Sequence, residues 1–135
     1  MTRTGYSGKP LYLKLGIKET HRTLLINPPD EYMDWLEIPF KVTKPSPGEL
    51  ADVIHIFSKE EKLLKESLTK YLPLLQQDGM IWVSWPKKAS KVETDITEDT
   101  VRKNVFPLGL VDIKVCSVSE VWSGLKVVIR KENRK

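Results

Sequence analysis

Lys87 and Lys88 follow directly on the apolar run Trp82-Val83-Ser84-Trp85-Pro86, and Ser90 lies just beyond them. Two flexible ammonium groups with the hydroxyls of Ser84 and Ser90 nearby suit a phosphate or a carboxylate, because lysine carries a compact charge with rotatable donors. A solvated loop after a strand is the competing reading. His55, in "DVIHIF", could act as an acid or base near neutral pH, or could be a satisfied core imidazole. Near the N-terminus, "TGYSGKP" brings Tyr6, Ser7, Gly8 and Lys9 together. Its two glycines and serine could form a backbone anion nest over the same place, or the segment could be a flexible arm.

Other reactive residue types read as structural. Thr97, with Glu98 and Asp99 after it and Asp95 before, suits a helix N-terminus. Cys116 falls mid-strand, as a small buried hydrophobe does. His21 and Asp52 precede strands, at the end away from an α/β site. Two histidines so far apart make no metal signature, and no metal is expected.

The elements that must hold these residues follow from periodicity and punctuation. "RTLLIN", Arg22 to Asn27, is a continuous apolar run and reads as a strand covered on both faces. "PPDEYMDWL" then opens a helix on its prolines, with Tyr32, Trp35 and Leu36 on one face. Phe40 to Thr43 reads as a short strand and "KPSPGE" as a loop. "ADVIHIF" is a second buried strand. "SKEE" then reads as a capping box, Ser58 with Glu61, for a helix striped by Leu63, Leu64, Leu68, Tyr71 and Leu72 that Pro73 ends. "QDGMIWVSW" is a turn and a third buried strand. Its Trp82 and Trp85, three apart, take opposite faces: Trp82 the core, Trp85 the border of a site. A helix capped by Thr97 presents Val101, Val105 and Leu108. Two alternating strands close the chain, Val111-Ile113-Val115 and Leu125-Val127-Ile129, and Trp122 opens the second as an exposed aromatic. Strands alternating with helices imply a parallel sheet with right-handed crossovers, and the last two strands an antiparallel edge hairpin.

Length and composition fit one soluble α/β domain over 1–135: an N-terminal arm and short helix over 1–20, a core over 22–131 and a basic tail over 132–135. The net charge is +4. The final "RKENRK" has four basic residues and one acidic, so the body is nearly neutral and the tail reads as a solvated terminus. Without a continuous basic face interleaved with aromatics, nucleic acid is not an expected partner. No apolar run reaches the roughly 18 residues of a membrane span, and no secretory h-region opens the chain. A lone cysteine excludes an intrachain disulfide and a multi-cysteine zinc site. Together these features point to the cytoplasm.

Over residues 22–131 the element order resembles a trimmed class I methyltransferase sheet, a three-layer Rossmann-like fold. The resemblance rests on the β-α alternation, on "ADVIHIF" followed by a helix and "QDGMIWVSW", and on the closing strand pair. It implies a ligand at the strands' carboxyl ends, where strand order reverses: near Asn27-Pro28-Pro29, His55 to Ser58, and Trp85-Pro86-Lys87. The glycine-rich turn that such a cofactor needs is absent. Asn27-Pro28-Pro29 stands there, and proline removes the N–H donors. Thr43 and Lys44 offer no acid for a ribose. Over nearly the whole chain, "GYSGKPLYLKLGI", "WVSWPKKAS", "TDITED", "LVDIKVCSV" and "WSGLK" resemble a family of short bacterial proteins of unknown function, which brings no catalytic residues. The expected function is binding of a small anionic ligand at the carboxyl ends, with Lys87, Lys88, Ser84, Ser90, Trp85, Asn27, His55, Ser58, Tyr6 and Ser7 as candidate contacts. The alternatives are a methyltransferase-like protein with an altered or lost S-adenosylmethionine loop, and a protein-interaction module with a vestigial site. Whether the chain is an enzyme stays open.

Overall fold

A computed structural model describes residues 9–135 of the chain. Its elements, in chain order, are α1 (Leu11–Leu15), β1 (Thr23–Ile26), α2 (Tyr32–Leu36), β2 (Ala51–Phe57), α3 (Glu61–Tyr71), β3 (Leu75–Pro86), α4 (Glu98–Val105), β4 (Leu110–Ser117) and β5 (Trp122–Ile129). The five strands form one sheet in the order β1-β2-β3-β5-β4. β1, β2 and β3 are parallel. β5 runs antiparallel to both β3 and β4. This is the trimmed methyltransferase-like sheet with its C-terminal antiparallel edge hairpin, and β3, which delivers Lys87, is central.

The period-two geometry of a strand sends alternate side chains to opposite faces, and both faces are covered. On one, Ile54, Ile56, Ile81, Val83, Trp85, Leu125 and Val127 pack against Leu64 and Leu68 of α3 and Val101 and Val105 of α4. On the other, Val53, Phe57, Met80 and Trp82 pack against Leu11 and Leu15 of α1 and Tyr32 and Leu36 of α2. Trp82 and Trp85 therefore take opposite faces, as their spacing requires. Trp82 is sealed in the core, where its Nε1–H donates to the Leu15 carbonyl at 2.9 Å and ties α1 to the sheet. Short α1 is closed by Gly16 in the left-handed region, φ 77°, where glycine carries no Cβ penalty.

The two parallel crossovers do not share a hand. β1 to β2 and β2 to β3 step the same way across the sheet. The first travels over the α1/α2 face, with Tyr32, Leu36, Ile38, Phe40 and Val42 packed there. The second travels over the α3/α4 face. Equal steps over opposite faces must turn in opposite senses, so the expectation of right-handed crossovers throughout fails for one of them. The full doubly wound order has its first strand central, with further strands on both sides. Here β1 is an edge strand. The chain keeps a helix on the face that would serve the missing strands, then returns directly to β2.

Several local expectations are corrected. Phe40 to Thr43 is no strand: Thr43 makes one parallel bridge to Arg22, and Phe40 and Val42 pack as loop residues. No turn interrupts "QDG"; β3 runs through it with a register shift opposite Ala51 to Val53. Ser58 and Glu61 form no capping box. α3 starts at Glu61 itself, and the Glu61 N–H donates to Asp95 Oδ1 at 2.7 Å, a cap supplied from 34 residues away. Leu63 faces outward, exposed, while Leu64 and Leu68 are buried. Pro107 turns the end of α4 into a 3-10 turn, which rotates Leu108 off the buried stripe. Ile113 and Val115 are exposed, because β4 is the sheet's edge and its register shifts between Asp112 and Lys114. The tail is not a frayed terminus. Asn133 donates to the Gly109 carbonyl, Arg134 to the Ile129 carbonyl, and Arg130 stacks over Phe106 at 4.4 Å. Among the described residues, no helix is long and apolar enough to cross a membrane.

Candidate functional site

The carboxyl edge of the parallel strands carries open clefts, two of them produced by where the connections go. A crevice forms at a sheet's carboxyl edge when neighbouring strands send their connections to opposite faces. The strand order β1-β2-β3 never reverses, so the expected reason for a crevice is absent. The opposite-handed crossovers restore it: the chain leaving β1 turns to one face and the chain leaving β2 to the other. Between them lies a cleft of about 490 Å³ lined by Asn27, Pro29, Phe57, Ser58, Glu60 and Trp122, among others.

Its chemistry departs from a dinucleotide or S-adenosylmethionine site. Asn27 holds the left-handed conformation, φ 56°, that a glycine would hold more easily. Pro28 and Pro29 then withhold two backbone donors. Among the described residues, no strand lies beyond β1 to bring up a ribose-binding acid. The residues present do not fit that cofactor. Ser58, nearly buried, turns its hydroxyl to the Glu60 carbonyl at 2.9 Å. Trp122 is half-buried instead of exposed, edge-on to Phe57 with centroids 5.1 Å apart.

The second cleft, about 630 Å³, opens between the end of β3 and the loop into α4. Trp85 and Pro86 form its floor. Lys87, Lys88, Lys91, Glu93, Thr94, Thr97 and Ser123 line it. A 3-10 turn over Lys88–Ser90 sets the lysines' directions. Ser90 is spent on that turn, its hydroxyl donating to the Lys87 carbonyl at 2.6 Å and accepting from Val92 N–H at 3.2 Å. Lys91 follows in the left-handed region, φ 61°. Lys88 and Lys91 are exposed and in no ion pair among the described residues. Lys87 is half-buried, and its Nζ donates to Ser117 Oγ at 2.7 Å. Burial, then the nearby Lys14 ammonium, lowers its pKa from the usual lysine value. Thr97 caps α4 in a reciprocal pair with Thr100. Arg102 is held by Glu98, Asp99 and Asp112, which draws Glu98 into a structural network.

His55 and Ser84 lie beneath the edge, fully buried, and neither reaches either cleft. Tyr32 Oη meets His55 Nδ1 at 2.9 Å, and His55 Nε2 meets Ser84 Oγ at 2.7 Å. In either tautomer one ring nitrogen donates and the other accepts, so a neutral imidazole is satisfied on both sides. Phe57 stacks on the imidazole at 4.2 Å and closes it from above. Burial pushes the His55 pKa down to about 3 and raises that of Tyr32. His55 is thus the core imidazole of the two readings, and Ser84 its partner instead of a hydroxyl at the edge. Tyr6 and Ser7 lie outside the described residues.

His21 and Asp52 fall at the amino edge as expected, beside a separate cleft of about 360 Å³ that also includes Lys18, Asp78 and Lys126. Cys116 is partly buried, and burial raises its pKa. Among the described residues, no group of three His, Cys, Asp or Glu side chains is placed to hold a metal ion. Sequence reasoning missed Lys91, Lys14, Ser117 and Tyr32. Lys91 was legible as a third lysine in the same loop. The Lys14–Ser117 contact spans 103 residues and Tyr32–His55 spans 23, and no local pattern encodes either.

Among solved structures the chain is similar to LepI in complex with SAM, at 11% identity over 89% of this chain and 39% of that one, TM-score 0.55. It is similar to a protein in the NADB-Rossmann superfamily from Streptococcus agalactiae, at 12% identity over 90% and 68%, TM-score 0.53. It is also similar to the plantazolicin methyltransferase BpumL in complex with a monoazolic desmethylPZN analog and SAH, at 13% identity over 90% and 81%, TM-score 0.51. These likenesses show a shared fold. The chain spans about two-fifths of the length of LepI. None of the curated proteins matches it in sequence. Residues 42–131 match the family described as "Protein of unknown function (DUF3052)", and the chain belongs to that family.

Proposed function

We propose that this member of the family binds a small anionic ligand at the carboxyl edge of its sheet, in the cleft between the end of β3 and the loop into α4. The observation that carries this reading is that one short turn sends Lys88 and Lys91 into the cleft mouth with no carboxylate paired to either. Lys87 lines the same cleft. Lysine binds phosphate or carboxylate as a mobile point charge, and an open cleft over an aromatic floor leaves room for an organic body behind the anionic group. Glu93 and Glu98, which also line the cleft, disfavour highly charged polyanions. The reading names binding and no reaction: His55, the candidate acid–base residue, is sealed from the cleft together with its partner Ser84.

Thermal melting with inorganic phosphate, nucleotides and S-adenosylmethionine in turn tests it. Phosphate at ten times its Kd stabilises the fold by about 1.4 kcal/mol, a rise of several degrees in Tm. The double variant Lys88→Ala/Lys91→Ala reduces that rise while keeping its own unliganded Tm. S-adenosylmethionine gives no rise, because its usual turn is replaced by Asn27-Pro28-Pro29. A panel in which no anion moves the Tm overturns the reading, and a rise with S-adenosylmethionine alone transfers it to the β1–β2 crevice.

A further inference from the structure

Two ammonium groups from distant parts of the chain converge on one serine. Lys14 Nζ, from the last turn of α1, donates to the Ser117 carbonyl at 3.1 Å. Lys87 Nζ, from the end of β3, donates to Ser117 Oγ at 2.7 Å. The hydroxyl is fixed in this role, because it donates in turn to the Ser119 carbonyl at 3.1 Å. Both lysines are half-buried, and neither has a carboxylate within ion-pair distance among the described residues.

The other charged and titratable groups around the pair do not neutralise it. Lys114 adds a third positive charge beside Cys116. The Cys116 thiol is kept protonated by burial. Glu120 comes last among the influences on Lys87, after burial, Lys14 and Cys116, and is itself exposed. Two like charges held together with part of their water removed repel each other with more force than two on an open surface. Among the described residues, no carboxylate pairs directly with either ammonium.

We infer that Lys14 and Lys87, spaced by Ser117, form a binding site for a doubly charged phosphate-class oxyanion. Each ammonium has three donors and spends one on Ser117, which leaves up to four for an anion bridging the pair. Two positive charges match a dianion, whereas a carboxylate offsets only one. The site goes beyond the cleft reading and stands without it, since Lys88 and Lys91 take no part.

Lysine acylation of the full chain, read by mass spectrometry with and without inorganic phosphate, tests the site. Phosphate at ten times its Kd is expected to slow labelling of Lys14 and Lys87 together by about tenfold. The protection of Lys87 disappears in Lys14→Gln and returns in Lys14→Arg, which keeps the charge; circular dichroism checks that both variants fold. Protection of Lys88 and Lys91 alone overturns this site and leaves the cleft reading standing. Protection of no lysine overturns both. Protection of Lys87 that survives undiminished in Lys14→Gln shows a single lysine binding the ion and overturns the paired site.

Discussion

The interior chain Tyr32–His55–Ser84 and the edge set Lys14, Lys87, Lys88 and Lys91 use residue types that sequence reading treats alike, as reactive. The surroundings separate them. In the interior the side-chain polar atoms of Tyr32, His55 and Ser84 all have a partner within 2.9 Å, and the imidazole is closed over by Phe57. A polar group so satisfied adds specificity to the packing and offers nothing to a ligand. At the edge, among the described residues, the positive charges have hydroxyl and carbonyl partners or none, and no carboxylate within ion-pair distance. Residue types that look equally reactive in the sequence are thus separated by how completely the fold satisfies them.

The largest test of the comparison is His55→Ala. It leaves the Tyr32 and Ser84 hydroxyls buried without their partner and opens a cavity, at a cost of about 3–5 kcal/mol by urea unfolding. Anion-dependent stabilisation of whatever remains folded should persist, because the edge is untouched.

The pH dependence sharpens the same contrast. His55 has its pKa depressed by burial to about 3, against 6.5 for an ordinary imidazole. Above pH 6.5 its contribution is complete. As the pH falls below that, the unfolded chain takes up a proton that the folded chain refuses until about 3. Stability therefore declines by about 1.4 kcal/mol per pH unit across that window. Urea unfolding at a series of pH values should show this slope in the wild type and in Lys88→Ala/Lys91→Ala, and show it reduced in His55→Gln. An unchanged slope in His55→Gln would mean that the imidazole is protonated in the fold.

A smaller effect probes the loop between the two regions. Asp95→Ala removes the carboxylate that caps α3 through Glu61 N–H and should cost about 1 kcal/mol in unfolding free energy. If the change costs nothing, the loop that forms the cleft wall is not held by this contact. Smallest of all, Lys88→Ala/Lys91→Ala should alter stability without ligand by less than about 0.5 kcal/mol.

Periodicity carried the sheet, its layers and the opposite faces of Trp82 and Trp85 into view from the sequence. It did so because burial on both faces writes a continuous apolar run and burial on one writes alternation. It failed where tertiary placement overrides a local signal. Ile113 and Val115 alternate like core residues but sit on an edge strand. Ser58 precedes a helix yet lies too far upstream to cap it, and a carboxylate from another loop does the work. The hand of the first crossover was hidden because it depends on strands the chain lacks. At the site, Lys87 and Lys88 were legible as charges after a buried strand. Their divergence was not: Lys88 faces the cleft while Lys87 turns to Ser117, a residue 30 positions away.

Whether the carboxyl edge with its unpaired lysines is the working surface can be read from amide chemical shifts of the full chain on adding inorganic phosphate. Shifts are expected at residues 86–98 and 117–123 and at Lys14 and its neighbours in α1, and not elsewhere. Shifts at the amino edge instead, around Gly16 to His21, Asp52 and Asp78 to Met80, or none at all on adding phosphate, would contradict it.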